Sequence, residues 1–261
     1  MDRQAVLAAF DEQIRRHPAP DAPDGHIEHD DGVTRSVSGA EGWTGVTWCD
    51  FDQVSADAVI AAQICRLAEL SRPWEWKHYS YDQPPDLPDR LLAAGFTREP
   101  AEALLVAEIA DLTLDVPPPP GVELRAVVDE QGVDALVLVH DEVFGGDHSA
   151  VGKTLRAGLA CQPSTAAAVV AWAGQTPIAA GRVEFHRGTD FASLWGGGTL
   201  PAWRGRGVFR SLVVHRATLA SARGFRYLHV DASPDSRPIL RRLGFVELAT
   251  PTPSTHPGVT G

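Results

Sequence analysis

The sequence predicts an α/β protein of two tandem domains, each with a mixed central sheet flanked by helices. Residues 122–250 alternate between strand-like and helix-like patterns in the order β-α-α-β-β-β-α-β-α-β. Four consecutive prolines, Pro117–Pro120, divide the chain near its middle. Residues 89–109 and 238–250 share one order, an apolar helix, a Gly-Phe pair and an apolar strand, which indicates a duplication.

The proline run predicts a semi-rigid linker, because proline lacks a backbone donor and favours extended geometry. A chain of 261 residues suits two domains of about 100–150 residues each. We therefore place an N-terminal domain at residues 1–116 and a C-terminal domain at residues 121–261.

The elements of the second half follow from hydrophobic periodicity and from glycine punctuation. Strands show alternation, and helices end at glycines such as Gly224 and Gly244. In chain order we expect a strand at 122–128, helices at 129–145 and 150–161, strands at 166–174, 176–188 and 190–200, a helix at 207–223, a strand at 225–231, a helix at 236–245 and a last strand up to 250.

Composition excludes several classes of function. A net charge of −11 argues against general binding to nucleic acid or to an anionic membrane. Three scattered cysteines, Cys49, Cys65 and Cys161, predict neither a disulfide framework nor a metal site, and fit a cytoplasmic protein. The first residues lack the pattern of a signal peptide, and no apolar run is long enough for a membrane span. The oligomeric state cannot be read from these patterns.

The turn Arg204-Gly205-Arg206-Gly207, between a predicted strand and a predicted helix, indicates an anion-binding site. Glycines allow the backbone to approach a ligand, and a helix N-terminus offers N–H groups and a positive dipole end. Arginine adds charge-assisted hydrogen bonds that fit phosphate. Residues 201–245 carry nine arginines and two aspartates, a local charge of +7 in an acidic chain. A solvated basic helix face is the alternative interpretation.

This turn resembles the pyrophosphate loop of the GCN5-related N-acetyltransferases, which follows the pattern Arg/Gln-x-x-Gly-x-Gly/Ala. Here Arg204 and Gly207 match the first two anchors, and Phe209 stands at the third. The preceding Thr199-Leu200-Pro201 is similar to that family's strand end. The resemblance covers about residues 122–250 and implies a GNAT-like fold, with the first half a degenerate copy that lacks the anion motif.

The resemblance implies that acetyl-CoA binds as co-substrate between the strand that ends near Thr199 and the strand 225–231. Backbone N–H groups of Gly205 to Arg210 would hold its pyrophosphate, and the strand end from Gly198 to Leu200 would pair with its pantetheine arm. The expected cofactor-binding residues are Gly198, Thr199, Leu200, Arg204, Gly205, Arg206, Gly207, Val208, Phe209 and Arg210.

Candidate catalytic residues are fewer. Glu184, on a predicted strand, is the expected general base for a protonated amine, although it also fits a solvent-facing strand position. Leu240 stands where the family often has a tyrosine acid, so the proton donor would be Ser236, Ser233 or water. An N–H near Thr199 or Leu200 would stabilise the oxyanion.

The three glycines of Trp195-Gly196-Gly197-Gly198 weaken a strand, so they predict a bulge, a ligand lying against the backbone, or a simple bend.

The resulting expectation is an acetyltransferase that moves acetyl from acetyl-CoA to an amine of a small molecule or peptide. Transfer to a hydroxyl or a thiol is a second possibility. A third is a non-catalytic acyl-CoA-binding or interaction module of the same fold, which Phe209 and Leu240 favour. No metal is expected to take part.

Overall fold

A computed structural model of the protein shows two compact units. The structure describes residues 1–20, 24–30, 32–39, 42–70 and 72–258. Unit 1 contains residues 1–104, 231–237 and those from Glu247 onward, and unit 2 contains residues 105–230 and 238–246. Each unit has a mixed sheet and helices, so the predicted fold class is confirmed.

Unit 1 is built on a six-stranded sheet of order β1-β2-β3-β4-β13-β5. Its three helices are α1 (Arg3–Phe10, continued by a π-helical segment, Asp11–Arg16), α2 (Ala56–Arg66) and α3 (Leu87–Ala93). Its strands are β1 (His26–Asp30), β2 (Val33–Val37), β3 (Gly45–Cys49), β4 (Trp74–Tyr79), β5 (Thr97–Arg98) and β13 (Pro251–His256).

Aromatic side chains of β4 fill the core of unit 1. Trp74 and Trp76 are buried, and both meet the ring of Phe96, at centroid distances of 5.0 and 6.5 Å. Arg15 is also buried, where its guanidinium lies 3.9 Å from the ring centroid of Tyr79 and donates to Asp82. The alternating large aromatic residues of β4 thus pack in the core of unit 1.

Unit 2 is built on a seven-stranded sheet of order β12-β6-β11-β10-β9-β8-β7. Its helices are α4 (Glu130–Phe144), α5 (Ser149–Ala160), α6 (Val208–Ala222) and α7 (Arg237–Arg242, which begins at the last residue of a unit 1 segment). The strands of this sheet are β6 (Ala103–Glu108), β7 (Glu123–Ala126), β8 (Ala166–Ala173), β9 (Thr176–Phe185), β10 (Phe191–Thr199), β11 (Tyr227–Ala232) and β12 (Val246–Ala249). Three of them, β6, β11 and β12, extend into the segments of unit 1. Every element predicted for the second half is present in the predicted order.

The two sheets exchange strands. Strand β6 precedes the proline linker but lies in the second sheet, between β11 and β12. Strand β13 follows the whole second half but lies in the first sheet, between β4 and β5, and pairs antiparallel with β4 from Pro251↔Tyr79 to His256↔Trp74. The predicted domains, 1–116 and 121–261, are divided at the proline linker, whereas β6 and β13 each lie in the sheet of the other half.

The exchange is reciprocal, which supports the duplication seen in the sequence. In each half a long strand is followed by a helix, a short strand and a last strand, namely β4-α3-β5-β6 and β11-α7-β12-β13. The last strand of each half lies between the two earlier strands of the other half. Five consecutive residues of β6, Ala103–Ala107, are buried, as expected for a strand covered on both faces.

In the described ranges, no helix is both long and apolar enough to cross a lipid bilayer.

Cutting the linker should leave the two pieces associated, because each piece contributes a central strand to the sheet of the other. A protease recognition sequence inserted between Pro117 and Pro118, which are exposed, provides the cut. We expect both fragments to elute together from a size-exclusion column after cleavage. Separation into two folded domains would contradict the exchange.

Candidate functional site

Strands β10 and β11 of unit 2 pair only at their beginnings. Their parallel ladder runs from Phe191↔Tyr227 to Ser193↔His229 and ends there. On its other side β10 continues its antiparallel ladder with β9 as far as Thr199↔Ala179. The edge of β10 from residue 194 onward therefore faces an opening, which we call the splay, with no strand partner in the described part of the chain. Backbone groups on such an edge can pair with an extended ligand.

A bulge interrupts β10 beside the splay. The register with β9 shifts between the pairs Trp195↔Arg182 and Gly198↔Ala180, so the two residues Gly196 and Gly197 face a single residue of β9, Gly181. The predicted bulge at this glycine run is confirmed. Gly196 has a φ of +55°, a conformation that favours glycine.

Close packing explains why all three positions are glycine. A Cβ at Gly196 would lie 2.4 Å from His140 Cε1, and one at Gly198 would lie 2.8 Å from Val143 Cγ1, both on α4. A Cβ at Gly197 would lie 3.0 Å from Phe209 Cε2, on α6. The bulge is thus held between two helices that leave no room for side chains.

Two buried side chains bind the carbonyls of the bulge. His140 Nε2 lies 2.8 Å from the carbonyl oxygen of Gly196. Arg216 Nη1 donates to the carbonyl oxygens of Trp195, at 3.3 Å, and Arg182, at 3.1 Å. Burial lowers the pKa of His140 to about 4, so the ring is neutral at neutral pH and donates through Nε2–H. Burial, with the nearby Arg182, lowers the pKa of Arg216 to about 9.

The turn before α6 has the geometry of an anion cradle. Gly205 and Gly207 have φ values of +73° and +84°, which only glycine adopts readily. The amide of Ser211 donates to the Gly207 carbonyl, and it is the first amide after Arg204 that has an acceptor within the turn or the helix. Within the described ranges, the six amides from Gly205 to Arg210 have no acceptor.

Arginines surround this cradle without counterions. Arg204, Arg206 and Arg210 are exposed, and no carboxylate among the described residues lies within 4.0 Å of them. Arg204 Nε donates to the Thr199 carbonyl at 3.1 Å, and the guanidinium of Arg206 lies 4.9 Å from the ring centroid of Trp203. Both side chains are thus held close to the turn with positive charge available for an anion.

The strand end retains one unsatisfied polar atom. The hydroxyl oxygen of Thr199 is buried and has no partner among the residues that the structure describes. A buried hydroxyl without a partner is costly, so it fits a ligand group that completes its hydrogen bonding.

The amide of Leu200 is engaged, since it donates to the Ile178 carbonyl at 2.9 Å. The expectation of an oxyanion donor at Leu200 is therefore corrected.

Phe209, at the third anchor of the motif, packs against the bulge. Its ring leaves little space at Gly197, where a Cβ would lie 3.0 Å from Cε2. The bulky side chain is therefore matched by a glycine on the neighbouring strand. Val208, the first residue of α6, is buried in the core with Leu212 and Ile178, and it anchors the helix start beneath the turn.

Glu184 lies one strand away from the splay. It is directly opposite Ser193, the last residue of β10 that pairs with β11, so the two side chains share a face of the sheet. Arg182 Nε donates to Glu184 Oε1 at 2.8 Å, and Oε2 has no hydrogen-bond partner in the described part of the chain. Ser193 is buried and accepts from Trp195 Nε1 at 2.7 Å.

The second predicted catalytic residue, Ser236, falls in unit 1 and is exposed. Its hydroxyl lies 3.2 Å from that of Ser233. Leu240 is buried and apolar, so the position of the family's tyrosine offers no proton donor here. The ten cofactor-binding candidates and Glu184 thus lie in unit 2, and Ser236 lies in unit 1.

A groove of about 310 Å³ lies beside the cradle, between α6, α7 and residues 112–114. Its floor is apolar, and its charged lining residues are Arg210, which also belongs to the cradle, and Arg242.

Sequence reasoning missed His140 and Arg216 as residues of this site. One signal for Arg216 was present, because it is four residues from both Leu212 and Ala220, which are buried on the same face of α6. An arginine on an apolar stripe indicates a buried charge with a specific partner. Nothing comparable marks His140, whose partner is 56 residues away.

Comparison with known structures identifies the fold. A GCN5-related N-acetyltransferase from Kribbella flavida matches with a TM-score of 0.70 and 18% identity, over 99% of this chain and 96% of its own. A tandem GNAT protein of the clavulanic acid biosynthesis pathway matches with 0.59 and 13%, over 93% and 86%. A GNAT-family acetyltransferase structure from Novosphingobium aromaticivorans matches with 0.57 and 17%, over 90% and 92%.

These likenesses confirm, at the level of the fold, the resemblance seen at the glycine–arginine turn: the chain has a tandem GNAT fold. No protein-family model matches the sequence, and a search of curated proteins finds no significant match.

The fit between Gly197 and Phe209 can be measured as a coupling energy. Gly197→Ala should lower the free energy of unfolding by about 1–3 kcal/mol, because its Cβ would crowd Phe209. In a Phe209→Ala background the same substitution should cost less. Urea unfolding of the four proteins gives the coupling. Gly198→Ala, which crowds Val143 instead, is the control and should cost the same in both backgrounds.

Proposed function

We propose that the protein is an acetyl-CoA-dependent N-acetyltransferase that acts on an amine of a small molecule or peptide. The observation that carries this proposal is the row of six amides without acceptors, Gly205 to Arg210, at the start of α6 beside the splay. The GNAT fold supports the proposal, since proteins described as acetyltransferases share it.

The cradle suits a pyrophosphate. Six N–H groups at a helix N-terminus, with three exposed arginines around them, match a ligand with several negatively charged oxygens. Positive φ angles at Gly205 and Gly207 turn the backbone into this shape. Arg204, Arg206 and Arg210 would neutralise the charge, and the amides would fix the position.

The edge of β10 suits the pantetheine arm, whose amides can pair with an exposed strand. The edge of β10 that faces the splay, from residue 194 to Gly198, has no strand partner among the described residues, and there the Thr199 hydroxyl has no hydrogen-bond partner either. The Thr199 carbonyl already accepts from Arg204 Nε, and the Leu200 carbonyl accepts from the Trp203 amide. Each would therefore accept from the pantetheine arm only through its second lone pair.

When bound, acetyl-CoA supplies an acetyl group activated as a thioester. The protein's task is then to position the acceptor and to remove its proton. We assign this proton to Glu184 Oε2, because the other oxygen is held by Arg182 and the carboxylate shares a face of the sheet with Ser193 at the end of the β10–β11 ladder. Ser236 remains a prediction from the sequence as the proton donor.

A binding module without catalysis is the alternative function. Buried Leu240 in place of an acid favours it, since that position can neither donate nor accept a proton. Transfer to a hydroxyl or a thiol would keep the cradle and change only the acceptor. Titration with acetyl-CoA and an assay of CoA release separate these outcomes.

Isothermal titration with acetyl-CoA tests the cradle. The intact protein should bind with a dissociation constant on the order of micromolar, and Arg206→Glu and Gly207→Glu should each weaken binding more than about tenfold by adding a negative charge at the phosphates. Arg187→Glu is the matched control, because Arg187 is exposed in the turn before β10, at the end of that strand opposite the cradle. Absence of binding by the intact protein would refute the proposal.

Release of free CoA in the presence of amine, hydroxyl and thiol acceptors tests the reaction. Glu184→Gln should lower kcat by about 100-fold or more with an unchanged dissociation constant for acetyl-CoA, since only the proton acceptor is lost. Glu142→Gln, an exposed change on α4, should behave as the unmodified protein. If acetyl-CoA binds but no acceptor is turned over, the binding module is the correct description.

A further inference from the structure

A second groove lies in unit 1, between α2 and α3, and has a volume of about 520 Å³. We call it the α2–α3 groove, and we call the groove of about 310 Å³ beside the cradle the α6–α7 groove. The apolar lining of the α2–α3 groove comes from Ile60, Ala61 and Ile64 on α2 and from Ala93 and Ala94 at the end of α3. A cavity of this size and lining suits a small ligand with an apolar part.

The two grooves are formed by equivalent helix faces of the two halves. Helix α2 contributes positions 57, 60, 61 and 64, and α6 contributes positions 210, 213, 214 and 217, with the same spacing of i, i+3, i+4 and i+7. Positions 90, 93 and 94 line the first groove, and positions 239, 242 and 243 line the second. These positions coincide when the Gly-Phe pairs at 95–96 and 244–245 are aligned. Both halves of the duplication therefore form this groove.

The charges of the two grooves are opposite. The α6–α7 groove carries Arg210 and Arg242. The equivalent positions of the α2–α3 groove are Asp57 and Ala93, so a carboxylate is the counterpart of one arginine and an apolar residue is the counterpart of the other. An anion that the two arginines attract would therefore be repelled by the α2–α3 groove.

Carboxylates outnumber cations in the α2–α3 groove. Its charged lining residues are three carboxylates against one guanidinium, a net charge of −2, namely Asp57, Asp86, Asp89 and Arg90. Arg90 donates to Asp57 Oδ1 at 2.7 Å and to Asp86 Oδ2 at 3.0 Å. Arg98, which does not line the groove, donates to Asp89 Oδ1 at 2.7 Å, and the balance stays negative when its charge is counted.

Each of these carboxylates keeps one oxygen that no arginine holds. Within the described ranges, Asp57 Oδ2, Asp86 Oδ1 and Asp89 Oδ2 have no hydrogen-bond partner. Asp86 Oδ1 is also buried, and a buried carboxylate oxygen without a donor is costly. The lining thus offers several charged acceptors beside an apolar surface, an arrangement that suits an ammonium group with a hydrocarbon chain.

We propose that the α2–α3 groove is a binding site for a small organic cation with an apolar chain, such as an alkylammonium ion. The chain would lie against the isoleucines and alanines, and the ammonium group would donate to carboxylate oxygens that the arginines leave free. This inference does not rest on the proposed function, because every residue that carries it lies in unit 1.

Titration with hexylammonium chloride, followed by NMR of ¹³C-labelled isoleucine δ1 methyl groups, tests the inference. Ile60 and Ile64 line the α2–α3 groove, Ile239 lines the α6–α7 groove, and Ile178 is buried in the core of unit 2. The signals of Ile60 and Ile64 should shift to saturation with a dissociation constant on the order of millimolar. Those of Ile239 and Ile178 should stay unchanged, since the α6–α7 groove carries two arginines.

Two probes with the same chain length separate charge from hydrophobicity. 1-Hexanol, which is neutral, should bind at least about tenfold more weakly than hexylammonium, and hexanoate should cause no saturable shift of Ile60 or Ile64. Equal binding of hexanol and hexylammonium would show a groove that selects only apolar surface, and it would overturn the inference. A preference for hexanoate would overturn it as well.

Substitution of Asp57 tests the role of the carboxylates. Asp57→Arg, which introduces the residue that α6 carries at the equivalent position 210, should weaken hexylammonium binding more than about tenfold, and Asp57→Asn about threefold. Glu69→Gln is the control for Asp57→Asn, because it also removes one exposed carboxylate of unit 1 and does not line the groove. An unchanged Ile178 signal shows that each variant keeps its fold.

The absence of a saturable shift at Ile60 and Ile64 in the unmodified protein overturns the inference. Binding by Asp57→Arg as tight as that of the unmodified protein overturns it too. Selective binding of hexylammonium that is weakened in Asp57→Arg and retained in Glu69→Gln is the supporting result. Because no titration contains acetyl-CoA, failure of the proposed function would leave this result as it stands.

Discussion

The hydrogen bonds of Arg216 are the contacts on which the geometry of the second unit depends. One guanidinium joins α6 to the backbones of β9 and β10. A Cβ at Gly181 would lie 2.7 Å from a guanidinium nitrogen of Arg216, and a Cβ at Gly197 would lie 3.2 Å from one. Glycine on both strands therefore leaves the space that the guanidinium fills. Because α6 is fixed against β10 in this way, the amides at its start lie beyond the end of that strand. The buried side chain of Arg216 therefore contributes to the positions of both the bulge in β10 and the turn before α6.

The sequence was sufficient for the second half of the fold and for the position of the glycine–arginine turn before α6. Periodicity and glycines located α6 at 207–223, where the structure has Val208–Ala222, because such signals are local. The sequence did not predict the strand exchange. Strand β13 pairs with β4 across more than 170 residues, and the residue pattern of neither strand indicates which strand it pairs with. Glu184 could be proposed from its strand, whereas His140 became visible only when α4 was packed against the bulge.

The first half has the same topology without the glycine–arginine turn. Strands β3 and β4 are parallel neighbours joined through α2, as β10 and β11 are joined through α6, and they too pair over only a few residues. Before α2 the chain carries Asp50 and Asp52 in place of arginines. The Asp52 carboxylate accepts from the amide and the hydroxyl of Ser55, and these bonds lower its pKa. A carboxylate thus lies before α2, at the place in the fold that the glycine–arginine turn occupies before α6, and it would repel a phosphate.

The reciprocal exchange of β6 and β13 also determines the order in which the chain can fold during synthesis. The sheet of the N-terminal half has a place between β4 and β5 that only residues 251–256 fill. These residues leave the ribosome after almost all of the second half, so the sheet that starts first is completed last. Until then β4, with buried Trp74 and Trp76, presents an edge to solvent, which is a site for wrong pairing. The edge of β4 on the side of β13 therefore stays unpaired from the synthesis of β4 until residues 251–256 are made.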